Sequence, residues 1–205
     1  MNAQPSPGEF WDQRYSADDY AFGTEANDFL REVSGDFTVG DTLVIGDGEG
    51  RNGVFLSQLG HRVVTIDLSP IGVDKARRLA DERGVTIDAR VADLTTFDMG
   101  LEAWDSIVSI FCHVPSAVRI AEYENVRRAL RPGGRFLVES YDAANIGRGV
   151  GGPQDTDLTV ELAELEAEFH GWHLEVHRAV ERPIKEGPLH DGLSSVVQFV
   201  AVKPS

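Results

Sequence analysis

The chain has 205 residues, long enough for one α/β domain with a full core, and we expect residues 1–205 to form a single domain. Its formal net charge is −15, from 34 acidic and 19 basic residues, which argues against nucleic acid and anionic membrane surfaces as partners. One cysteine, Cys112, excludes an intramolecular disulfide, and the absence of a signal-peptide pattern or a long apolar run predicts a cytoplasmic protein.

The N-terminal segment, residues 1–35, carries two predicted helices. Residues 10–15 have an amphipathic pattern, and residues 27–33 follow it with a capping residue at their start. Two interpretations stay open for the aromatic residues Tyr15, Tyr20 and Phe22. They either belong to a lid that excludes water from a site, or they pack as core residues against the sheet.

A glycine-rich turn follows the first predicted strand, residues 42–45. Gly46, Gly48 and Gly50 occupy alternate positions, and a helix is predicted from about residue 52 to 59. Glycine lets the backbone turn sharply and approach a ligand closely. Strand, glycine turn and helix are the first half of a nucleotide-binding βαβ unit.

The second predicted strand, residues 62–66, ends in Asp67. An acid at this position accepts hydrogen bonds from ribose hydroxyls. The alternative is a cap for the helix predicted over residues 69–83, but Ser69 is better placed for that role. The unit therefore predicts a cofactor that contains adenosine.

The spacing of the glycines indicates which cofactor. A dinucleotide fingerprint needs glycine at position 51, where this chain has Arg51, and Glu49 would place a carboxylate against a pyrophosphate. An acid suits a cationic amino-acid moiety better, and S-adenosylmethionine carries one. A nicotinamide-dependent oxidoreductase is accordingly disfavoured.

The remaining elements predict a mostly parallel seven-stranded sheet with helices on both faces and a C-terminal antiparallel hairpin. Further strands are predicted at residues 86–91, 104–111 and 135–140, and the hairpin at residues 172–182 and 193–202. Helices are predicted at about residues 116–130 and 159–169, with a chain breaker at residues 131–134 and a flexible loop at residues 145–157.

Eight segments carry a resemblance to a known family: FWDQRY at 10–15, YAFGTE at 20–25, GDGEGRN at 46–52, DLSP at 67–70, ADL at 92–94, FCHVP at 111–115, LRPGG at 130–134 and EGPLH at 186–190. Together they resemble the class I S-adenosylmethionine-dependent methyltransferases with their Rossmann-like fold. Within that class they are similar to the small tellurite-resistance enzymes, a group itself similar to the thiopurine methyltransferases.

The resemblance implies S-adenosylmethionine as cofactor and S-adenosylhomocysteine as product. It implies that Asp93 accepts from the adenine amino group, whereas a turn-forming aspartate is the alternative. Val44 stands where the class often has an acid, and Asp47 is the nearest replacement. The predicted cofactor-binding residues are Gly46, Asp47, Gly48, Gly50, Asn52, Asp67, Leu68, Asp93, Leu94 and Phe111.

Tyr15, His113 and His190 are the predicted catalytic residues, on the acceptor side of the site. An unperturbed histidine has a pKa of about 6.5 and could act as a general base. For both histidines a structural role is the alternative. Glu139 and Tyr141 follow the fifth strand and could line the acceptor pocket, and no cluster has metal-ligand spacing.

These expectations combine into methyl transfer to a small-molecule acceptor, with a thiol or other chalcogen as nucleophile. The alternative is a protein of the same fold that binds S-adenosylmethionine or S-adenosylhomocysteine without transferring a methyl group. We expect a monomer or homodimer, with no nucleic acid or membrane partner.

Overall fold

Seven strands form one sheet in the computed structural model, which describes residues 6–187 and 189–205. They are β1 (Asp41–Ile45), β2 (Arg62–Asp67), β3 (Asp88–Val91), β4 (Trp104–Ile110), β5 (Leu130–Tyr141), β6 (His173–Lys185) and β7 (Asp191–Val202). Residues 1–5 of the predicted N-terminal segment and Pro188 of the quoted EGPLH segment lie outside the described residues.

The strand order is β3-β2-β1-β4-β5-β7-β6. Strands β1 to β5 pair in parallel, whereas β7 is antiparallel to both β5 and β6. The predicted fold class, including its C-terminal hairpin, is confirmed.

Six α-helices accompany the sheet in the described part of the chain: α1 (Pro7–Tyr15), α2 (Asp28–Val33), α3 (Arg51–Gln58), α4 (Pro70–Glu82), α5 (Ser116–Ala129) and α6 (Leu162–Glu168). Short 3₁₀ turns at 143–145 and 156–158 lie at the two ends of the segment predicted as a flexible loop. Among the described residues, no helix has the length and apolar character needed to cross a membrane.

Alternation along the central strands builds a core on each face of the sheet. Leu43 and Phe136 point to one face, where α5 and α6 pack. Their neighbours Val44 and Leu137 point to the other face, where Phe29 of α2 packs. Successive strand residues face opposite sides, so a strand covered on both faces is apolar throughout.

Two boundaries differ from the sequence prediction because of long-range pairing. Strand β5 begins at Leu130 and runs through the predicted chain breaker at residues 131–134, because Leu130 pairs with Trp104 and the Gly133 amide donates to the Lys203 carbonyl. Helix α6 begins later than predicted because the Val160 amide donates to the Tyr141 carbonyl and keeps that segment extended.

This topology brings the ligand-bearing ends of the strands together. The carboxyl ends of parallel strands meet at one edge of a sheet, where ligands of open α/β folds bind. Gly46, Asp67 and Phe111 lie at the ends of β1, β2 and β4. The loop between β6 and β7, which contains His190, returns to the same edge because β6 runs parallel to β5.

Candidate active site

The glycine loop approaches the N-terminal segment closely. Gly48 has a φ of +56° and Gly50 one of +89°, which are left-handed conformations that favour glycine. A Cβ atom on Gly48 would lie 2.5 Å from the Tyr15 hydroxyl oxygen. The loop therefore requires glycine both for its backbone path and for its contact with α1.

Asp67 ties the glycine loop to the end of β2. Its Oδ2 accepts from the Gly48 amide at 2.9 Å, and its Oδ1 accepts from the Ser69 amide at 2.8 Å. Burial raises the pKa of Asp67 to about 6. Ser69 is the side-chain cap of α4, since its hydroxyl accepts from the Gly72 amide at 3.0 Å. The capping alternative for Asp67 is thus taken by its neighbour.

Asp47 serves the first turn of α3. Its carboxylate is buried and accepts from the Gly53 amide at 3.1 Å. Burial raises its pKa to about 7. The side chain predicted to replace an acid at Val44 is therefore already engaged by the amino end of a helix.

Glu49, which the sequence interpretation set against the ligand, is engaged by protein partners. Its buried carboxylate pairs with Lys75 Nζ at 2.8 Å and accepts from the Ala21 amide at 2.8 Å. A carboxylate taken out of water needs such partners. Glu49 consequently holds residues 18–22 against the glycine loop. Lys75 Nζ also donates to the Asp19 carbonyl.

Residues 6–25, the N-terminal strap, cover the glycine loop. Tyr15 is buried, stacked on Trp11 at 5.6 Å and edge-on to Phe22 at 6.2 Å between ring centroids. Burial, followed by the charge of Asp67, raises the pKa of Tyr15. The structure thus places Tyr15 over the glycine loop, whereas the prediction placed it on the acceptor side with the histidines.

Beside the strap lies an aromatic–histidine cluster, made of Phe22, Phe111, His113, Tyr141 and His190. The ring of His190 is 4.5 Å from Phe22, 4.8 Å from Phe111 and 5.6 Å from Tyr141 between centroids. The His113 ring stacks on the other side of this cluster, 5.6 Å from Tyr141. The two histidines predicted as catalytic therefore contact the same tyrosine.

Several buried polar atoms in this cluster have unsatisfied hydrogen-bonding capacity. Nδ1 of His190 is buried without a hydrogen-bond partner among the described residues. The His113 ring nitrogens and the Tyr141 hydroxyl also lack a partner of good geometry there, although the Leu158 backbone and the Ser194 side chain lie close enough to influence their pKa values. Burial lowers the pKa of His113 to about 4 and that of His190 to about 3. Both imidazoles are therefore neutral at physiological pH, instead of titrating near 6.5.

A buried ion network holds the loop that carries His190. Glu139, fully buried, accepts from Arg182 at 2.8 Å and from the Asn27 side chain at 2.5 Å. Glu186 accepts from the same Arg182 at 2.9 Å and from Arg51 at 2.7 Å. Glu139 thus anchors the network and does not line the acceptor pocket as a free carboxylate.

Comparison with known proteins identifies the class. Residues 43–134 match the family described as a methyltransferase domain. A 2-heptyl-1-hydroxyquinolin-4(1H)-one methyltransferase of Mycobacteroides abscessus is 26% identical over 79% of this chain and 72% of its own length. The ribosomal protein L11 methyltransferase of Symbiobacterium thermophilum is 40% identical, over 49% of this chain and 32% of its own length.

Solved structures share the fold. The N-methyltransferase NodS from Bradyrhizobium japonicum, in complex with S-adenosylhomocysteine, has a TM-score of 0.70 at 17% identity and covers 97% of this chain and 98% of its own. TehB from Haemophilus influenzae has a TM-score of 0.71 at 17% identity, over 96% of this chain and 66% of its own.

The chain carries a methyltransferase domain over residues 43–134, and its fold is that of solved S-adenosylmethionine-dependent methyltransferases. In this methyltransferase the matched segment runs from β1 to the start of β5. It includes the glycine loop, Asp67, Asp93 and Phe111, but neither the strap nor the hairpin loop with His190. The resemblance to the tellurite-resistance type agrees with the TehB fold.

The remaining predicted cofactor-binding residues differ in their exposure and in their hydrogen bonds. Asp93 is exposed and accepts from the Thr95 amide at 2.8 Å, a bond that together with the Thr95 hydroxyl lowers its pKa. Asp93 therefore forms a turn, as the alternative interpretation expects, and it uses Oδ1 as the acceptor. Asn52 uses its side-chain oxygen to accept from the Asn27 amide at 3.0 Å. Leu68 and Leu94 are half-buried beside them.

Sequence reasoning missed Lys75, Arg182 and Gln198. Gln198 donates to Glu139 at 2.6 Å and lies 59 residues away in the chain. None of the three belongs to a local motif, so nothing in the neighbouring sequence singled them out. Asn27 was identified only as a helix cap, a role it fills by accepting from the Leu30 amide at 3.0 Å.

Proposed function

We propose that this methyltransferase transfers a methyl group to the thiol or another chalcogen nucleophile of a small, flat and largely apolar molecule. The observation that carries the proposal is the aromatic–histidine cluster. It offers aromatic rings and two neutral imidazoles beside the glycine loop. Charged groups nearby are held in the ion network, which favours an uncharged acceptor over an oxyanion.

On the cofactor side we propose that Asp67 accepts from the ribose hydroxyls and that Asp93 accepts from the adenine amino group through Oδ2. The close-approach backbone at Gly48 and the raised pKa values of Asp47 and Asp67 fit a cationic ligand, because a nearby positive charge favours the ionised carboxyl. The remaining proposed contacts come from Gly46, Gly50, Asn52, Leu68, Leu94 and Phe111.

On the acceptor side, we propose that His190 takes the proton of the nucleophile, with His113 as the second polar wall. S-Adenosylmethionine supplies an activated methyl group by in-line displacement at its sulfonium. The carbon–sulfur bond to the donor breaks as the acceptor atom bonds to carbon, and the acceptor proton leaves through the imidazole to solvent. The imidazole of His190 is neutral before the step, and because its pKa is about 3 it is a weak base that orients the acceptor and relays the proton without keeping it.

The Mycobacteroides relative supports an acceptor of this kind. Its name describes methylation of a hydroxyquinolone, a flat bicycle, and so supports the proposed shape of the acceptor without bearing on the sulfur nucleophile. Rings of Phe22, Phe111 and Tyr141 suit such a surface, since aromatic faces pack well on one another.

The test is turnover over a panel of aromatic thiols, hydroxylated heterocycles and aliphatic thiols, with wild type and His190→Ala. We expect turnover on a flat acceptor, and a loss of at least tenfold in kcat for the variant, with S-adenosylhomocysteine affinity within threefold. The kcat/KM profile should show no histidine inflection between pH 5 and 7, because the pKa values are about 3 and 4. Binding of S-adenosylhomocysteine without turnover of any acceptor would support the binding-protein alternative.

A further inference from the structure

Residues 146–153, the flap, cover the aromatic–histidine cluster and form neither helix nor strand. A Cβ atom on Gly152 would lie 2.6 Å from a ring carbon of Tyr141, and a Cβ atom on Gly151 would lie 3.1 Å from a ring carbon of His190. Contacts this short are open only to glycine. The backbone of the flap therefore rests directly on two rings of the cluster.

The rings proposed to hold the acceptor are closed off from solvent. Tyr141 is 0% exposed and His190 is 6% exposed. Phe22 of the strap packs on the His190 ring, and the flap packs on both rings. A flat acceptor reaches the cluster only when one of these two covers moves.

The strap is the more firmly held of the two covers. It is tied to the glycine loop by the buried pair of Glu49 and Lys75 and by its amide donor at Ala21. Separating the partners of a buried ion pair is strongly unfavourable. Movement of the strap would also lift Tyr15 from the loop that is proposed to hold the cofactor.

The flap is held by fewer and more exposed contacts. Arg148 pairs with Glu181 of β6, and the two side chains are 26% and 56% exposed. The Gly151 carbonyl accepts from the Asn145 side chain at 3.0 Å. Among the described residues, the backbone of 149–153 makes no hydrogen bond with another backbone group. Because exposed ion pairs contribute little and such segments open locally, the flap opens more readily than the strap.

We propose that the flap is the entrance of the acceptor pocket: it moves away from Tyr141 and His190, and the acceptor binds against these rings beneath it. An uncharged, flat molecule fits this position, because it replaces glycine backbone on the rings and needs no opposite charge. The inference rests on the proposed function, since it concerns access to the pocket proposed there.

A chemical probe of the His190 ring tests the flap without any acceptor. Diethyl pyrocarbonate modifies neutral imidazoles that solvent can reach, and peptide mass spectrometry gives the rate at each histidine. In Gly152→Ala the added methyl group meets the Tyr141 ring and keeps the flap from closing. We therefore expect the rate at His190 to rise at least tenfold.

Gly147→Ala is the matched control within the flap. Gly147 has a φ of +82°, against +83° for Gly152, so alanine strains the backbone equally at both positions. A Cβ atom on Gly147 meets nothing within 4 Å, so this variant adds strain without a contact. The rate at His190 should rise at least fivefold less than in Gly152→Ala.

His61 is an internal reference for general loosening of the fold. It is 4% exposed, and its Nδ1 lies 2.8 Å from the Thr42 hydroxyl oxygen. The rate at His190 is divided by the rate at His61 in each sample, so that loosening of the whole protein cancels. A ratio in Gly152→Ala no higher than in Gly147→Ala would overturn the inference.

A reversible cross-link tests the route of the acceptor. A Cβ atom on Gly192 would lie 2.9 Å from the Val150 Cβ, near the separation of about 3.5–4.5 Å in disulfides. Oxidation of the double variant Val150→Cys, Gly192→Cys should therefore join the flap to β7. Against the reduced form of the same protein, oxidation should slow His190 modification and lower kcat/KM for the best acceptor of the panel at least tenfold. Calorimetry should show S-adenosylhomocysteine affinity within twofold.

The outcomes separate this inference from the proposed function. Equal His190 modification in the two redox forms would overturn the inference, and so would unchanged kcat/KM in the cross-linked protein, which would place the entrance at the strap. Protection of His190 by the cross-link, in a protein that turns over no acceptor in either form, would support the flap and count against the proposed function alone.

Discussion

At the scale of single residues, the site holds carboxyl groups whose pKa values are shifted in opposite directions. Asp47 and Asp67 lie at the glycine loop, and burial raises their pKa values to about 7 and about 6. Glu186 lies between two arginines, which hold its pKa at about 2. Asp47 and Asp67 therefore titrate near neutral pH, whereas Glu186 is ionised throughout. A cation bound at the glycine loop should lower the pKa values of the two aspartates.

Asp67→Asn should weaken S-adenosylhomocysteine binding about tenfold or more, because it removes a charged acceptor that contributes roughly 1.5–3 kcal/mol. Asparagine keeps one of the two oxygens, so it preserves the hydrogen bond from either Gly48 or Ser69 and leaves the other amide without its acceptor. The free energy of unfolding is therefore measured beside the affinity. Calorimetry measures the affinity. As the control, Ser69→Ala removes the α4 cap and should lower the free energy of unfolding by about 0.5–2 kcal/mol, with affinity within threefold. Weaker binding by Ser69→Ala, together with unchanged affinity for Asp67→Asn, would assign the binding role to Ser69.

At the scale of elements, local sequence was sufficient for the βαβ unit and its ends. Alternating apolar residues and glycines predicted β1, the glycine turn and β2, because these signals act within a few residues. The start of β5 and the start of α6 were wrong because their backbone partners, Lys203 and Tyr141, are remote in sequence. Tertiary pairing overrides local breakers when it satisfies amides that would otherwise be left without a partner.

The same division between local sequence signals and long-range contacts applies to the candidate active site. The position of Asp67 follows from the motif, and the location of His113 and His190 follows from the strand ends. The partners of Glu49 could not be predicted, because Lys75 is 26 residues away and no pattern joins them. The histidine pKa values were also mispredicted, because they depend on burial. For His190 that burial comes from Phe22, Phe111 and Tyr141.

The Glu49–Lys75 pair should hold the N-terminal strap as a unit. Glu49→Gln leaves Lys75 buried and unpaired, and removing one partner of a buried pair costs roughly 3–5 kcal/mol. We expect faster hydrogen exchange at the Ala21 amide, which donates to Glu49 at 2.8 Å. Adding Lys75→Met should recover part of the unfolding free energy.

Glu25→Gln is the control for the strap, because Glu25 forms an exposed pair with Arg83. Exposed pairs contribute about 0–1 kcal/mol, so exchange at Ala21 should stay at the wild-type rate. If Glu49→Gln also leaves that rate unchanged, the strap is held by its aromatic contacts and not by the ion pair.

At the scale of the whole molecule, one polar network joins segments that are far apart in the chain. The Asn27 side chain donates to Glu186 at 3.1 Å, across 159 residues, and Arg51 links the same carboxylate to the glycine loop. The start of α2, the glycine loop and the hairpin loop thus share partners. Changes on the cofactor side and on the acceptor side should therefore be energetically non-additive when both touch this network.

Global stability should depend on pH through Glu122, which is buried in α5. Burial raises its pKa from 4.5 to about 7, against a hydrogen bond from Ser109 that favours ionisation. The folded state therefore holds a proton that the unfolded state has lost between these two values. The stabilisation is complete below about pH 4.5 and is lost as the pH rises through 7, by about 3 kcal/mol in all.

Denaturant unfolding at pH 5 and pH 8 measures this loss. Glu122→Gln cannot ionise, so its free energy of unfolding should fall between these pH values by about 2–3 kcal/mol less than that of wild type. Glu124→Gln, at an exposed position of the same helix, should keep the wild-type pH dependence. Identical slopes for wild type and Glu122→Gln would show that Glu122 ionises freely in the folded protein, which its burial should prevent.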